Sequence, residues 1–419
     1  MPRTAEIIAV GSELLTGGVT NTNARFLSEL LTAAGVDVLY HTAVGDDEGR
    51  LEAAVTAARQ RAELLVCTGG LGPTYDDMTK TAVCAALATP LVFHPDIVPD
   101  IRRYFDTVFH REMPSCNLQQ AYLPQGCTVF RNPVGTAPGC AFTAGGVTAV
   151  LLPGVPSECR YLAEHCLLPY LERLHGQVIR SHDLRIFGLT EPQVQELLND
   201  LLHQEKDLTL APYAGTGEVS LHLSARAADD AACEARMAPL LAEVRRRLGS
   251  YLYGTDVSGL EETALRLCQA QGLTLSAAES CTGGLIAKRL TDIPGASQTF
   301  LGGVVSYTNA VKQHVLGVPA SLLETYGAVS APVARAMAMG VRVLTGSDLA
   351  LSVTGLAGPA GDDRGSPVGT VFTALSTPQG VFVRQLALGG DRERIRTLSA
   401  HHALDLLRRY LTDQMTGGE

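Results

Sequence analysis

Ser280 and Cys281 stand side by side in Ala277-Ala278-Glu279-Ser280-Cys281-Thr282-Gly283-Gly284. An apolar run, Leu273 to Leu275, comes before them, and a helix-like segment, Leu285 to Leu290, comes after. This pattern predicts a buried strand, a glycine turn and a helix start. Backbone N–H groups are unpaired at such a start, and the helix dipole favours negative charge there. The turn can therefore hold a nucleophile, an anion or both; a plain tight connection has the same local pattern. Further reactive residues fall near predicted strand ends: Ser297, Tyr307, Lys312, Thr354 and Arg394. No Ser–His–Asp arrangement is evident. A serine can instead be activated by a neutral lysine whose pKa burial has lowered, and Lys312 is the natural base. Tyr307 suits a proton relay or substrate orientation. N–H groups near Gly283 and Gly284, or the Thr354 hydroxyl, suit an oxyanion, and Arg394 suits a phosphate. Gly302 and Gly303 permit close backbone approach in Phe300-Leu301-Gly302-Gly303-Val304-Val305-Ser306-Tyr307. The mid-helix pair His401-His402 fits packing or surface roles.

A second set of residues lies in Thr68-Gly69-Gly70-Leu71-Gly72-Pro73-Thr74-Tyr75-Asp76-Asp77-Met78-Thr79. Gly69, Gly70 and Gly72 allow backbone N–H groups to approach a phosphate. Asp76 and Asp77 could hold a hard divalent cation such as magnesium bridging those phosphates; they could equally cap the next helix. Two more turns follow strands: Asn132 to Gly139, which carries Thr136, and Leu152 to Glu158. With Gly11 to Gly18 they make four polar, glycine-bearing loops at strand ends, which points to one site.

The elements that position these loops alternate. Residues 6–10, 36–44 and 63–67 read as strands. Between them lie a helix capped by Asn21 or Thr22 and stopped at Gly35, and another that starts at Asp46–Asp47. Such alternation predicts an α/β fold, a parallel sheet with helices on both faces and ligands at the carboxyl ends of its strands. Residues 171–254 read as a smaller α+β module. It has a helix from Thr190, a strand over 219–225 and a helix over 229–248, whose Arg245-Arg246-Arg247 run suits a solvated helix end. From residue 255 a third α/β unit begins. It includes a helix entered at Asn309 that carries Lys312, a buried strand over 349–353, and a hairpin through Pro378-Gln379-Gly380.

Bulk properties set further bounds. The chain has 419 residues, so two or three domains are expected. A formal net charge of −10 weighs against direct nucleic-acid binding. No apolar run of about 20 residues is present, so no membrane span is expected, and Met1-Pro2-Arg3-Thr4-Ala5-Glu6 shows no secretory pattern. The ten cysteines form no C-x-x-C pair, which fits a reduced, cytoplasmic protein without a disulfide framework.

The motifs also carry a resemblance. Gly-Ser-Glu-Leu-Leu-Thr-Gly, Gly-Gly-Leu-Gly-Pro-Thr-Tyr-Asp-Asp and Pro-Gly-Val-Pro-Ser-Glu resemble the molybdopterin-binding-like domain of CinA-type competence/damage-inducible proteins, over residues 1–170. The similarity implies a metal-dependent ADP-ribose pyrophosphatase, with Asp77, Asp76 and, more weakly, Glu158 as metal residues. Residues 171–254 resemble that family's KH-like connecting domain. Ala-Glu-Ser-Cys-Thr-Gly-Gly, Phe-Leu-Gly-Gly-Val-Val-Ser-Tyr-Thr-Asn-x-x-Lys, Thr-Gly-x-Ala-Gly-Pro and Gly-Asp-Arg-x-x-Ile-Arg resemble its C-terminal domain, over residues 255–419. That domain is similar to nicotinamide mononucleotide (NMN) amidohydrolase. The resemblance implies cofactor-free deamidation of NMN by Ser280, Ser297, Tyr307, Lys312, Thr354 and Arg394, with Gly355 beside the substrate. Either Ser280 or Ser297 is the nucleophile, with Cys281 a third choice that lacks a clear base. A homodimer acting on NMN and ADP-ribose is expected. The alternatives are a competence-associated scaffold or a pterin-binding protein.

Overall fold

A computed structural model of the chain describes residues 4–175, 178–202, 204–205 and 207–414. The opening Met1-Pro2-Arg3 lies outside them. The chain divides into two compact units. One holds residues 1–181, 206–208 and 224–238; the other holds residues 182–205, 209–223 and 239–419.

The first unit is built on a six-stranded sheet. Its strands are β1 (Thr4–Val10), β2 (Asp37–Val44), β3 (Leu64–Thr68), β6 (Thr128–Phe130), β7 (Gly139–Ala144) and β8 (Val147–Leu152); a separate two-stranded ribbon joins β4 (Leu91–Phe93) to β5 (Tyr122–Pro124). The order is β2-β1-β3-β8-β7-β6. The first four run parallel, as expected. β7 is antiparallel to both its neighbours, so the sheet is mixed rather than wholly parallel. Strand periodicity explains the two-sided core. Ile7, Val66 and Val150 face one layer with Leu27, Leu31 and Leu162. Ile8, Leu65, Cys67 and Leu151 face the other with Leu51, Val55 and Val83. The helix Thr22–Ala33 begins where Asn21 Oδ1 accepts the Ala24 N–H at 3.0 Å, and the helix Glu48–Ala58 begins where Asp47 Oδ1 accepts the Arg50 N–H at 2.8 Å.

The connecting segment contains β9 (Val178–Phe187), β10 (Gln204–Glu205), β11 (Leu208–Ala214), β12 (Glu218–Ala227) and β13 (Leu252–Thr255), with helices Glu191–Leu198 and Asp230–Leu248. Thr190 and Gln193 close a capping box at the first helix. The strands β9 to β11 have weak alternation and were not separated by pattern alone. The arginine run is not simply solvated. Arg246 and Arg247 pair with Glu243, Arg247 also pairs with Asp200, and Arg245 donates to Thr255 Oγ1 at 3.3 Å.

The second unit carries a five-stranded sheet in the order β15-β14-β16-β17-β18. These strands are β14 (Leu275–Glu279), β15 (Phe300–Val305), β16 (Leu349–Gly355), β17 (Thr370–Thr377) and β18 (Gly380–Ala387). β15, β14 and β16 are parallel; β17 and β18 form the expected hairpin. Leu275, Ala277 and Leu351 pack on one side with the C-terminal helix Arg392–Leu411, and Ala278 and Ala350 on the other with the helix Ala331–Thr345. No helix among the described residues is long and apolar enough to cross a membrane.

His401 and His402 sit inside this packing against the Phe187 ring. Burial pushes His401 down to about 3 and His402 down to about 4. Burial outweighs the Glu218 carboxylate, whose Oε1 lies 3.6 Å from His401 Nε2, so both are neutral in the fold, while the unfolded chain binds protons at the ordinary histidine pKa of about 6.5. The unfolded state then holds more protons below that pH, so stability falls as pH drops from about 6.5 towards 4, by up to about 1.4 kcal/mol per pH unit for each histidine. Urea midpoints measured across this window should fall less steeply for His401→Gln than for the parent chain; equal slopes would refute the buried-neutral assignment.

Candidate active site

In the second unit, the three parallel strands bring their carboxyl ends to one edge, where Ser280 follows β14, Ser306 and Tyr307 follow β15, and Thr354 lies near the end of β16. The turn after β14 is set by Glu279, whose side chain is 1 % exposed. Its Oε2 accepts the N–H groups of Gly284 and Ile286, each at 3.0 Å, and its Oε1 accepts that of Ala287 at 2.8 Å. The carboxylate thus occupies the start of the helix Leu285–Thr291, where a negative group is favoured. Gly283 and Gly284 have φ of 60° and 94°, a left-handed pair that a side chain would strain. The Gly283 N–H donates to Ser280 O at 3.1 Å. Both glycine N–H groups suggested for an oxyanion are therefore engaged. Among the described residues, the N–H groups of Cys281 and Thr282 find no oxygen acceptor, and both residues are buried.

Lys312 lies on the helix Asn309–His314, capped by Thr308 Oγ1 rather than by Asn309. Its side chain is 1 % exposed. Nζ lies 3.0 Å from Ser280 Oγ and donates to Ser306 O at 2.6 Å. No carboxylate pairs with it among the described residues, and burial lowers its pKa to about 8. A neutral amine at hydrogen-bond distance from a hydroxyl is a base for that hydroxyl. Ser280 itself is fixed through its N–H, which donates to Val353 O at 2.9 Å.

The other candidates separate by position. Ser297 is exposed on the short turn Ala296–Gln298, before β15. Phe300 pairs with Leu275 at the amino ends of the strands, whereas Val305 pairs with Glu279 at the carboxyl ends. At about 3.3 Å per residue, Ser297 lies on the order of 15 Å from the edge that bears Lys312. Sequence proximity to the glycine-rich strand hid the strand's length. Cys281 is buried and its thiol is pushed up to about 11, chiefly by burial, which disfavours the thiolate. Gly302 and Gly303 lie within β15, away from the site edge. Gly355 is held against β17, where a Cβ would meet Val371 Cγ2 at 2.6 Å. Thr354 Oγ1 donates to Ala328 O at 2.8 Å, so its proton is engaged. Tyr307 is 60 % exposed and its hydroxyl accepts from Arg392 Nη2 at 3.0 Å. Arg394 is exposed at the first turn of the C-terminal helix, where its backbone N–H donates to Asp391 Oδ1 at 2.8 Å. Arg396, one turn into that helix, had no assigned role in the sequence reading. It donates from Nε to Cys281 O at 3.1 Å and from Nη2 to Thr282 O at 2.8 Å.

In the first unit, loops at the ends of β1, β2, β3 and β8 enclose a pocket of about 400 Å³. Gly69, Gly70, Asp76 and Asp77 line it, together with Glu13 and Asp46, which sequence reasoning had passed over. At Gly69 a Cβ would lie 2.1 Å from Val10 O, so only glycine lets these two loops meet. Asp77 does not cap the next helix. Its Oδ2 accepts from the Thr74 N–H at 2.9 Å and from the Thr74 hydroxyl. Gly72 makes room for that carboxylate, which a Cβ would meet at 2.4 Å. The loop Asn132 to Gly139 is not part of the pocket lining. Glu158 Oε2 accepts from Asn132 Nδ2 at 2.6 Å, and Thr136 Oγ1 accepts from Gln120 Nε2 at 3.1 Å. Burial raises the Glu158 carboxyl above its usual value. Glu158 and Thr136 therefore organise the neighbouring loop. Among the described residues no three His, Cys, Asp or Glu side chains are grouped to hold an ion. A magnesium-type cation needs only one or two carboxylates when phosphate oxygens and water complete its shell. Asp76 and Asp77 are the residues of the pocket that would hold such a cation, one Asp77 oxygen being taken by Thr74.

Comparison with known proteins finds three domain matches along the chain. Residues 6–173 match a "Probable molybdopterin binding domain", residues 181–254 the "Damage-inducible protein CinA KH domain" and residues 257–411 the "CinA C-terminal domain". A CinA-like protein of Desulfovibrio desulfuricans is 45 % identical, covering 97 % of this chain and 96 % of its own. Another from Kosmotoga olearia is 42 % identical, covering 97 % and 98 %. A crystal structure of the competence/damage inducible protein CihA from Agrobacterium tumefaciens is 40 % identical; it covers 36 % of this chain and 95 % of its own, with a TM-score of 0.35. Full-length identity at this level, with all three domain matches in register, makes the chain a member of the CinA family.

Proposed function

We propose that the second unit hydrolyses the carboxamide of nicotinamide mononucleotide to nicotinic acid mononucleotide and ammonia. The observation that carries this reading is the buried Lys312 Nζ at 3.0 Å from Ser280 Oγ. Neutral Lys312 takes the hydroxyl proton as Ser280 Oγ bonds to the carboxamide carbon. The carbonyl electron pair moves to oxygen, and the N–H groups of Cys281 and Thr282 face that charge. Collapse breaks the C–N bond, and the Lys312 ammonium protonates the departing nitrogen as ammonia. Water then attacks the acyl ester, gives a proton to Lys312, and releases Ser280 and the acid. Exposed Arg394 at the helix start suits the substrate phosphate, and Tyr307, held by Arg392, suits the ribose or ring. No cofactor enters these steps.

Ammonia release from NMN should fall by about a thousandfold or more in Ser280→Ala and Lys312→Ala, and stay within about twofold of the parent in Ser297→Ala. Because the unprotonated amine is the base, kcat/KM should rise with pH through about 8 and then level. Full turnover in either of the first two variants, or a flat profile from pH 7 to 9, would contradict the assignment.

For the first unit we propose metal-dependent hydrolysis of ADP-ribose to AMP and ribose 5-phosphate. The acid-lined pocket over the Gly69–Gly70 loop supports it. A divalent cation bound there would neutralise pyrophosphate charge, while the chain's own residues position it through Asp76 and Asp77. Asp76→Asn should weaken magnesium-dependent turnover by at least about tenfold, and chelation should abolish it in the parent. Hydrolysis that ignores both treatments would remove the metal from the proposal.

A further inference from the structure

Arg396 occupies a position that the deamidation steps do not use. Its guanidinium reaches two consecutive carbonyls of the nucleophile turn, Cys281 O at 3.1 Å from Nε and Thr282 O at 2.8 Å from Nη2. The Cys281 carbonyl belongs to the same peptide unit as the Thr282 N–H. That N–H is one of the two in the turn without an acceptor among the described residues. A cation donating to the oxygen of a peptide draws electron density from its nitrogen, which makes the N–H a stronger donor. The other open donor, the Cys281 N–H, belongs to the Ser280 peptide, whose oxygen, among the described residues, accepts only the neutral Gly283 N–H at 3.1 Å. Thr282 O also accepts the Leu285 N–H at 3.2 Å, so Arg396 adds charge to a turn already closed by neutral bonds.

The surroundings are consistent with an electrostatic part. Glu279 places one negative charge on the N–H side of the turn, and Arg396 places a positive charge on its carbonyl side. Arg396 makes no ion pair with a carboxylate among the described residues, so its charge is directed at those carbonyls. A pocket of about 370 Å³, lined by Leu285, Arg392, Glu393, Arg396 and Thr397, opens beside the side chain.

We propose that Arg396 is a positioning residue for deamidation: it fixes the Ser280 turn and polarises the Thr282 peptide, so that its N–H stabilises the oxyanion. This rests on the amidase reading. Its contribution appears as charge develops, so it belongs to kcat rather than to substrate binding.

The test measures ammonia release from NMN by the full-length chain, its Arg396→Ala and Arg396→Lys variants, and Arg396→Ala with added guanidinium at non-denaturing concentration. The expected result is a kcat loss of about 10- to 100-fold in Arg396→Ala with KM within about threefold. The loss should be smaller in the Lys variant, and guanidinium entering the adjoining pocket should restore at least about tenfold of it. A variant that has lost its fold would not regain kcat at unchanged KM when guanidinium is added. If Arg396→Ala does not fold, the Lys variant carries the test: reduced kcat at unchanged KM supports the proposal and unchanged kcat overturns it. A parent chain that releases no ammonia defeats the amidase reading itself. An active parent with Arg396→Ala at full kcat, or with a loss that guanidinium leaves untouched, defeats only the role of Arg396.

Discussion

One buried carboxylate sets the site in the second unit. Glu279 accepts three backbone N–H groups at the start of a helix that would otherwise present them to a ligand. A buried acid without such donors would carry a desolvation cost of several kcal/mol, so the turn and the carboxylate require each other. Two consequences follow. The N–H groups left without an oxygen acceptor among the described residues move back in the chain to Cys281 and Thr282, next to Ser280. Ser280, tied to Val353 O on the neighbouring strand, is held where Lys312 reaches it. The order of residues in Glu-Ser-Cys-Thr-Gly-Gly is then a physical sequence: acceptor, hydroxyl, two donors, and two glycines in left-handed backbone.

The first unit uses a related device. Asp77 is held by Thr74 and accommodated by Gly72, so a carboxylate again shapes a glycine-bearing loop after a buried parallel strand. Both sites lie off the carboxyl ends of parallel strands, where helix starts and loops converge. They differ in what the pocket offers. The first unit lines its pocket with acids, which suits a cation between protein and phosphate. The second buries a lysine unpaired with any described carboxylate and sets the Arg396 guanidinium on the carbonyls of the Ser280 turn.

Much of this arrangement was legible in the residues. Alternating apolar strands and capped helices marked the parallel strands of both sheets but not the antiparallel β7, and the strand–turn–helix pattern around Ser280 marked its place at a strand end. The Lys312 pairing was proposed from residue type, because a serine without a histidine needs another base. What escaped was information held in register and in loop closure. Ser297 looked close because its distance along the chain is short, yet a strand carries it to the opposite edge. Glu158 and Thr136 looked like ligand residues because polar loops at strand ends resemble one another; the hydrogen bonds they accept from Asn132 and Gln120 tie them to a neighbouring loop. Glu279 and Arg396 stand within the quoted motifs but received no role, because a lone acid before a serine, or an arginine inside a helix, has no periodic signature. Only the fold shows that they meet the same turn from opposite sides.

The central claim is that burial keeps Lys312 able to act as a neutral base beside Ser280. The most direct test is a pH titration of lysine side-chain nitrogens by nuclear magnetic resonance on nitrogen-15-lysine-labelled protein, with Lys312→Met identifying the resonance. The account predicts a midpoint near 8 for Lys312, and a midpoint at the ordinary lysine value of about 10.4 would contradict it.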